Sequence, residues 1–501
     1  MEDSRTAYSR LVAHFRKAGV FHSCLELLGW DERTYMPPSG SALRAEQSSA
    51  MARLFHDWVS EPWIKDSLEF LEQNLHKNDH NSKISANVRE WKRLVKRASQ
   101  VPPALVEEFA SASVFAQQAW VEARAKNDFP SFLPWLEKIL RLKREESRCY
   151  SGGDPSYDSL LEEYEPGCTT DFLDKLFASL KPELTRIAKE LELSCPQVKQ
   201  HQAVEYPLEA QKKFSEWTAA QCGFDFSAGR LDTTAHPFCC GIGPGDCRIT
   251  TRFNPGNFFM GFFGVLHETG HGLYEQGLPS EDFGLPTGSA CSLGIHESQS
   301  RLWENQVGRS SWFWEWCYPW ARKFFPAQLK DTSLTNYLRE INRVVPGLIR
   351  VDADEVTYNQ HIILRYELEK MLIEGNLSPV DLPYAWNVKM LESLGLQSDT
   401  DSSGCLQDIH WSAGLIGYFP TYLLGNLYSA QIYQKASTVL GLEKTPCSPE
   451  ALLQLRDWLK RNIHSLGKLY SADELCEKAT GTGLSPGVFV QYLKRKYQNG
   501  N

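Results

Sequence analysis

Apolar residues recur at three- and four-residue spacing through 4–28, 43–59, 86–127, 132–149, 170–193 and 208–222, the period of helices that bury one face. Strand-like alternation is confined to two short stretches, 230–234 and 248–253, beside glycine-rich turns. After Pro255 the helical period resumes and runs to the C-terminus, broken at 277–288, 398–404 and 444–449. The pattern predicts a mainly α chain with a small β-sheet, and strands this sparse edge a cleft. No internal repeat, low-complexity tract or Gly/Ser linker interrupts it.

Composition narrows the class. The 501 residues carry 53 basic and 62 acidic side chains, a formal charge of -9, and 42% are apolar, so the chain has material for a large core and is a poor match for a nucleic acid backbone. Thirteen cysteines without a C-x-x-C pair or regular spacing read as reduced thiols. The first residues mix charges and lack an apolar run, so a cytoplasmic location is expected. The uncharged stretch 411–434 has the length of a membrane span, but its glycines, amides, four tyrosines and Pro420 make it a buried segment lining a cavity, with no membrane partner.

The chemistry concentrates in 254–277, NPGNFFMGFFGVLHETGHGLYEQG. Asn254 is the expected N-cap with Pro255 at the first helical position, and Phe259, Phe262, Phe263 and Leu266 form an apolar stripe. His267 and His271, four residues apart, present their imidazoles on one face to a single divalent cation. Glu268 points about 100° away, placed to act as a general base on water without ligating. Gly270 and Gly272 each cost about 1 kcal/mol inside a helix relative to Ala, which close backbone approach would offset. A di-iron reading would need a second Glu-x-x-His, and no other histidine has Glu three positions before it. A catalytic site wants a third protein ligand. A second helix over 292–307, capped by Ser292 and closed by Gly308, offers Glu297, with Glu304 and His296 as rivals.

With these residues in hand, the chain resembles the carboxypeptidase Taq family of metallocarboxypeptidases. The resemblance is carried by HPF at 236–238, DCRIT at 246–250, HETGH at 267–271, HESQ at 296–299, IRVDAD at 349–354 and GCLQDIHW at 404–411, with LLGWDERTYMPP at 27–38 similar to the family's N-terminal region. It implies one catalytic domain over 1–501, saddle- or butterfly-shaped, with helical lobes flanking a long central substrate groove. It also implies a homodimer and one Zn2+ or Co2+ per subunit, held by His267, His271 and Glu297. Cys239 and Cys240, after HPF, depart from the family's usual sequence.

The remaining motifs admit physical readings. A carboxypeptidase must hold a free terminal carboxylate of its peptide substrate, a task for a fixed guanidinium; Arg350 is the candidate, Arg248 the alternative, and a structural pairing of Arg350 with Asp352 or Asp354 the competing explanation. His410 and Tyr422 resemble the His and Tyr pair that similar helical metallopeptidases aim at the developing oxyanion, and Tyr418 competes with Tyr422. His236, near the sheet, is placed to bond the backbone of an extended substrate. The leading expectation is removal of single C-terminal residues. A metallo-oligopeptidase or dipeptidyl carboxypeptidase on the same scaffold is the near alternative, and a noncatalytic metal-binding helical protein the distant one. No G-x-S-x-G elbow or phosphate-binding loop competes.

Overall fold

The computed structural model describes residues 3–74, 82–194, 204–235 and 237–498, and His236 lies outside them. Two compact units divide the chain, each assembled from three separate stretches. The first comprises Met1–Ala98, Lys199–Ile341 and Tyr428–Leu484; the second comprises Ser99–Val198, Asn342–Leu427 and Ser485–Asn501.

The first unit opens with helix Ser4–Thr34, whose N-terminus is capped by Asp3 accepting from the Thr6 N–H at 2.7 Å. It packs with the helices Pro62–Asn74 and Lys83–Gln100 around Leu11, Phe15, Leu68 and Trp91, with Phe15 stacked on Trp91 at 4.6 Å. Three short strands follow: β1 (Gly229–Thr233), β2 (Cys239–Gly243) and β3 (Asp246–Thr251). The sheet order is β1-β3-β2, with β3 parallel to β1 and antiparallel to β2. The sequence pattern anticipates β1 and β3. It does not anticipate β2, whose CCGIG sequence lacks apolar–polar alternation. Helix Phe258–Gly277 packs against the sheet and buries Phe258, Phe262, Phe263 and Leu266. It starts three residues later than the sequence suggests, because Asn257 is the N-cap that accepts from the Met260 N–H, while Asn254 closes a turn on Gly256.

In the second unit the expected helix over 86–127 is broken. Pro102 and Pro103 end one helix at Gln100 and start the next, Pro103–Lys126, with Pro103 at its first position. That helix forms an antiparallel pair with Phe129–Ser151 across Asn127 in the left-handed region (φ 56°). The centre of the unit is helix Tyr358–Glu374, buried nearly all round and carrying Arg365 and Glu369 into the core beside Ile362 and Leu368. The uncharged stretch begins in turns and becomes helix Pro420–Leu440. No helix among the described residues is long and apolar enough to cross a membrane.

Candidate active site

All the donors that converge lie in the first unit, on two neighbouring helices. His267 and His271 sit one turn apart on Phe258–Gly277, and Glu297 sits on Leu293–Arg301, whose N-terminus Ser292 caps as expected. Glu297 Oε2 lies 3.6 Å from His267 Nε2 and 3.4 Å from His271 Nε2, and one donor atom from each residue falls within 4.8 Å of the others.

The far sides of both imidazoles are tied down. His267 Nδ1 meets Glu304 Oε2 at 2.9 Å, so its proton belongs on Nδ1 and its Nε2 lone pair faces Glu297. His271 Nδ1 meets His296 Nδ1 at 2.6 Å, and His296 Nε2 meets Glu275 Oε1 at 2.7 Å. One tautomer set satisfies the chain. Glu275 accepts from His296 Nε2–H, His296 Nδ1 accepts from His271 Nδ1–H, and the Nε2 lone pair of His271 is left facing the other donors. Both rivals to Glu297 therefore support the imidazoles from behind rather than joining the convergent set. Sequence reasoning passed over Glu275, although its place one turn beyond His271 on the same face was a readable signal.

The acids here are held ionised by neighbours. Burial opposes charge on Glu297, but Arg301, whose Nε donates to Oε1 at 2.7 Å, and the two imidazoles outweigh it and hold the carboxyl well below the usual range. Glu304 is drawn down to about 2 against the same burial, by Arg301 and His267. Glu268 differs: burial pushes it up to about 7, and its Oε2 has no hydrogen-bond partner among the described residues. Two imidazole nitrogens and one carboxylate oxygen with oriented lone pairs are a donor set that fits a borderline divalent cation.

Two local features bring the helices this close. A Cβ on Gly270 would fall 2.3 Å from the Gln299 carbonyl oxygen, so the crossing tolerates only glycine there, and a Cβ on Gly272 would meet Phe224 at 2.6 Å. The expected helix over 292–307 changes at Leu302 into a π-helical turn, Leu302–Val307, before Gly308 ends it. That turn brings Glu304 to His267 and leaves Arg301 bonded to both Glu297 and Glu304.

Arg350, His410, Tyr418 and Tyr422 come together in the second unit. Arg350 pairs with neither Asp352 nor Asp354; its Nε donates to Asp408 Oδ1 at 2.9 Å and its NH1 to the Tyr358 hydroxyl at 3.1 Å. Arg365 takes the other Asp408 oxygen at 2.7 Å, so one buried carboxylate serves two guanidiniums and is held well below its usual range despite burial. Asp354 instead accepts from the backbone of Val356 and Thr357. His410 Nε2 is 3.2 Å from the Tyr422 hydroxyl, its ring lies 5.6 Å from that of Tyr418, and its Nδ1 is buried without a partner among the described residues. Arg248, in the first unit, is committed to Asp246 through two 2.8 Å bonds and lies over Trp30. Asp408 and Arg365 were not singled out from the sequence, although Asp408 falls inside the GCLQDIHW motif.

Residues 10–497 match the family described as carboxypeptidase Taq (M32) metallopeptidase. The chain belongs to that family. This metallocarboxypeptidase is 44% identical to thermostable carboxypeptidase 1 of Thermus thermophilus, over 98% of each chain. It is 35% identical to carboxypeptidase 1 of Bacillus subtilis, over 97% of this chain and 96% of that one. Among solved structures, the M32 carboxypeptidase from Deinococcus radiodurans superposes with a TM-score of 0.92 at 34% identity, covering 99% of both chains. Metallocarboxypeptidase 1 of Trypanosoma cruzi does so with 0.92 at 36%, covering 99% of this metallocarboxypeptidase and 100% of its own chain. A divalent metal is thereby part of the enzyme, and peptides are its substrates.

Proposed function

We propose that the enzyme removes single amino acids from the C-termini of peptides, with one Zn2+ or Co2+ per subunit held by His267, His271 and Glu297. The observation that carries this reading is the convergence of three donors beside a buried glutamate oxygen that has no partner among the described residues. When bound, the cation supplies a Lewis acid that acidifies water and polarises the scissile carbonyl. Glu268 takes the proton of the attacking water and delivers it to the departing amine, work suited to a carboxyl that burial has moved towards neutral pH. His410 and Tyr422 donate to the developing oxyanion, with Tyr418 as the alternative donor. Arg350, aligned by Asp408, receives the terminal carboxylate, and Arg248 stands in reserve for that role. His236 bonds the peptide backbone.

Two guanidiniums on one buried aspartate support an anion-receiving role for Arg350. Twelve free cysteines among the described residues support a reducing, cytoplasmic setting, and the net charge of -9 speaks against a nucleic acid partner. A homodimer, and a single catalytic domain built from both units, rest on the family resemblance.

The test compares free-acid and C-terminally amidated peptides, with products identified by mass. A charged hydrogen bond contributes about 1.5 to 3 kcal/mol, so amidation should cost roughly tenfold to a hundredfold in kcat/KM. Arg350→Ala should turn over the free acid poorly, shrink the difference between acid and amide, and keep its metal. Equal cleavage of acid and amide by the parent, or dipeptide products, would move the assignment to an oligopeptidase. Loss of discrimination in Arg248→Ala alone would relocate the clamp.

A further inference from the structure

A cavity of about 590 Å3 lies within the first unit, walled by Phe15, Phe55, Trp91 and Leu94 on one side and by the β2–β3 turn and the end of helix Phe258–Gly277 on the other. Its size and aromatic lining are those of small-molecule sites. Lys468 lines it, and the ammonium makes no hydrogen bond or ion pair with any described residue. The backbone is built to place this lysine. Gly467 adopts φ 50° and ψ -138°, a conformation open to glycine alone, and a Cβ there would fall 2.1 Å from the Thr287 carbonyl oxygen. Arg89 NH2 then donates to the Lys468 carbonyl at 2.9 Å and fixes the next residue.

The acids on the cavity wall are all engaged elsewhere. Glu90 is shared by Arg89 at 3.0 Å and Arg93 at 3.2 Å, Asp246 holds Arg248 at 2.8 Å, and Glu275 holds His296 at 2.7 Å. Lys468 is therefore left as a half-buried cation without an ion-pair partner among the described residues, its pKa lowered by partial burial against the opposing pull of Glu90. An ammonium without a partner in an aromatic-walled cavity is a natural counter-charge for an anionic ligand.

We propose that the cavity is a binding site for a small organic carboxylate with an aromatic or branched aliphatic body, its charge received by Lys468 and its body by the aromatic wall. The site is distinct from the peptidase centre, since His267, His271 and Glu297 do not line it.

Phenylbutyrate, titrated calorimetrically into the full-length enzyme, tests this. Saturable binding of one equivalent is expected, and it should persist after the metal is removed by chelation. Lys468→Met should weaken it roughly tenfold or more, the loss of one charge-assisted hydrogen bond. Without the probe the same variant should melt no lower than the parent, because it breaks no ion pair; the probe should raise the melting temperature of the parent only. Ser23→Phe, which fills the cavity without altering its charge, should also abolish binding. No saturable binding at millimolar probe, or undiminished binding in Lys468→Met, would overturn the proposal. So would binding that disappears with the metal, which would put the probe on the peptidase centre, or a lower melting temperature for Lys468→Met, which would make the lysine a structural cation.

Discussion

Glu268 and Glu275 occupy the same helix, yet the proposed reaction gives them different work. Glu275 anchors the chain through His296 to His271, so Glu275→Ala should weaken metal binding by about 10- to 100-fold in a chelator competition. Glu268→Gln should bind metal as the parent does and lose about 100-fold or more of kcat. Parent-like metal affinity in Glu275→Ala would remove the relay from the account. Protonation also sets stability. His361, His410 and His464 are each lowered to about 3, first by burial and then by a neighbouring Arg350, Arg365 or His296, whereas burial raises Glu369 to about 7. Between about pH 4.5 and 6.5 the unfolded chain binds three histidine protons that the folded chain refuses, while the folded chain keeps one Glu369 proton that the unfolded chain releases. The two-proton balance makes stability fall on acidification by roughly 3 kcal/mol per pH unit in that window, apart from the metal centre, whose protonation follows its ion. Urea melts of the loaded enzyme should show this slope, and His464→Gln should flatten it by about one proton; a level profile would refute the assignment. His267 and His271 were readable in the sequence because they sit four apart on one helix, whereas Glu297 was one of three candidates on the next helix and was set apart from Glu304 and His296 only by the family resemblance. Asp408 and Arg365 were not readable, because their meeting depends on contacts between residues 43 apart in the chain.

Most helices follow from periodicity, and the exceptions have local causes. Tandem prolines divide the helix expected over 86–127, and β2 exists because β3 pairs with it, not through any strand preference of its own. The π-helical turn at Leu302–Val307 leaves no trace in the pattern, since apolar spacing does not distinguish it from an α-helix continued to Gly308. The crossing at Gly270 gives the prediction for this scale. Alanine is the better helix former by about 1 kcal/mol, and in an isolated helix Gly270→Ala would stabilise. Here its Cβ would strike the Gln299 backbone, so the two helices must part and carry Glu297 away from the imidazoles. Gly270→Ala should keep its helical circular dichroism, lose metal affinity and melt lower than the parent. Undiminished metal binding would mean that the crossing has slack.

No linker separates the two units, and nothing in the sequence announces them, because the chain passes between them at 98/99, 198/199, 341/342, 427/428 and 484/485. The last stretch returns to the second unit, where Tyr492, Lys496 and Tyr497 all donate to Glu355, a carboxylate whose side chain is 2% exposed. Ending the chain at Leu484 strips those donors and strands the charge, a loss of about 3 to 5 kcal/mol in the stability of that unit. Glu355→Gln in the shortened chain should recover part of the loss; equal denaturation of the shortened and full chains would refute the role given to the C-terminal helix. The same path has a consequence for how the enzyme is made. The three convergent donors are synthesised by residue 297, but the helix that carries two of them rests on His464, which packs against Tyr274 and Gly277 and meets Gln299 Oε1 at 2.9 Å. A nascent chain on the ribosome therefore carries all three donors long before the support for their helix arrives, and that support exists only after a further 167 residues have been added.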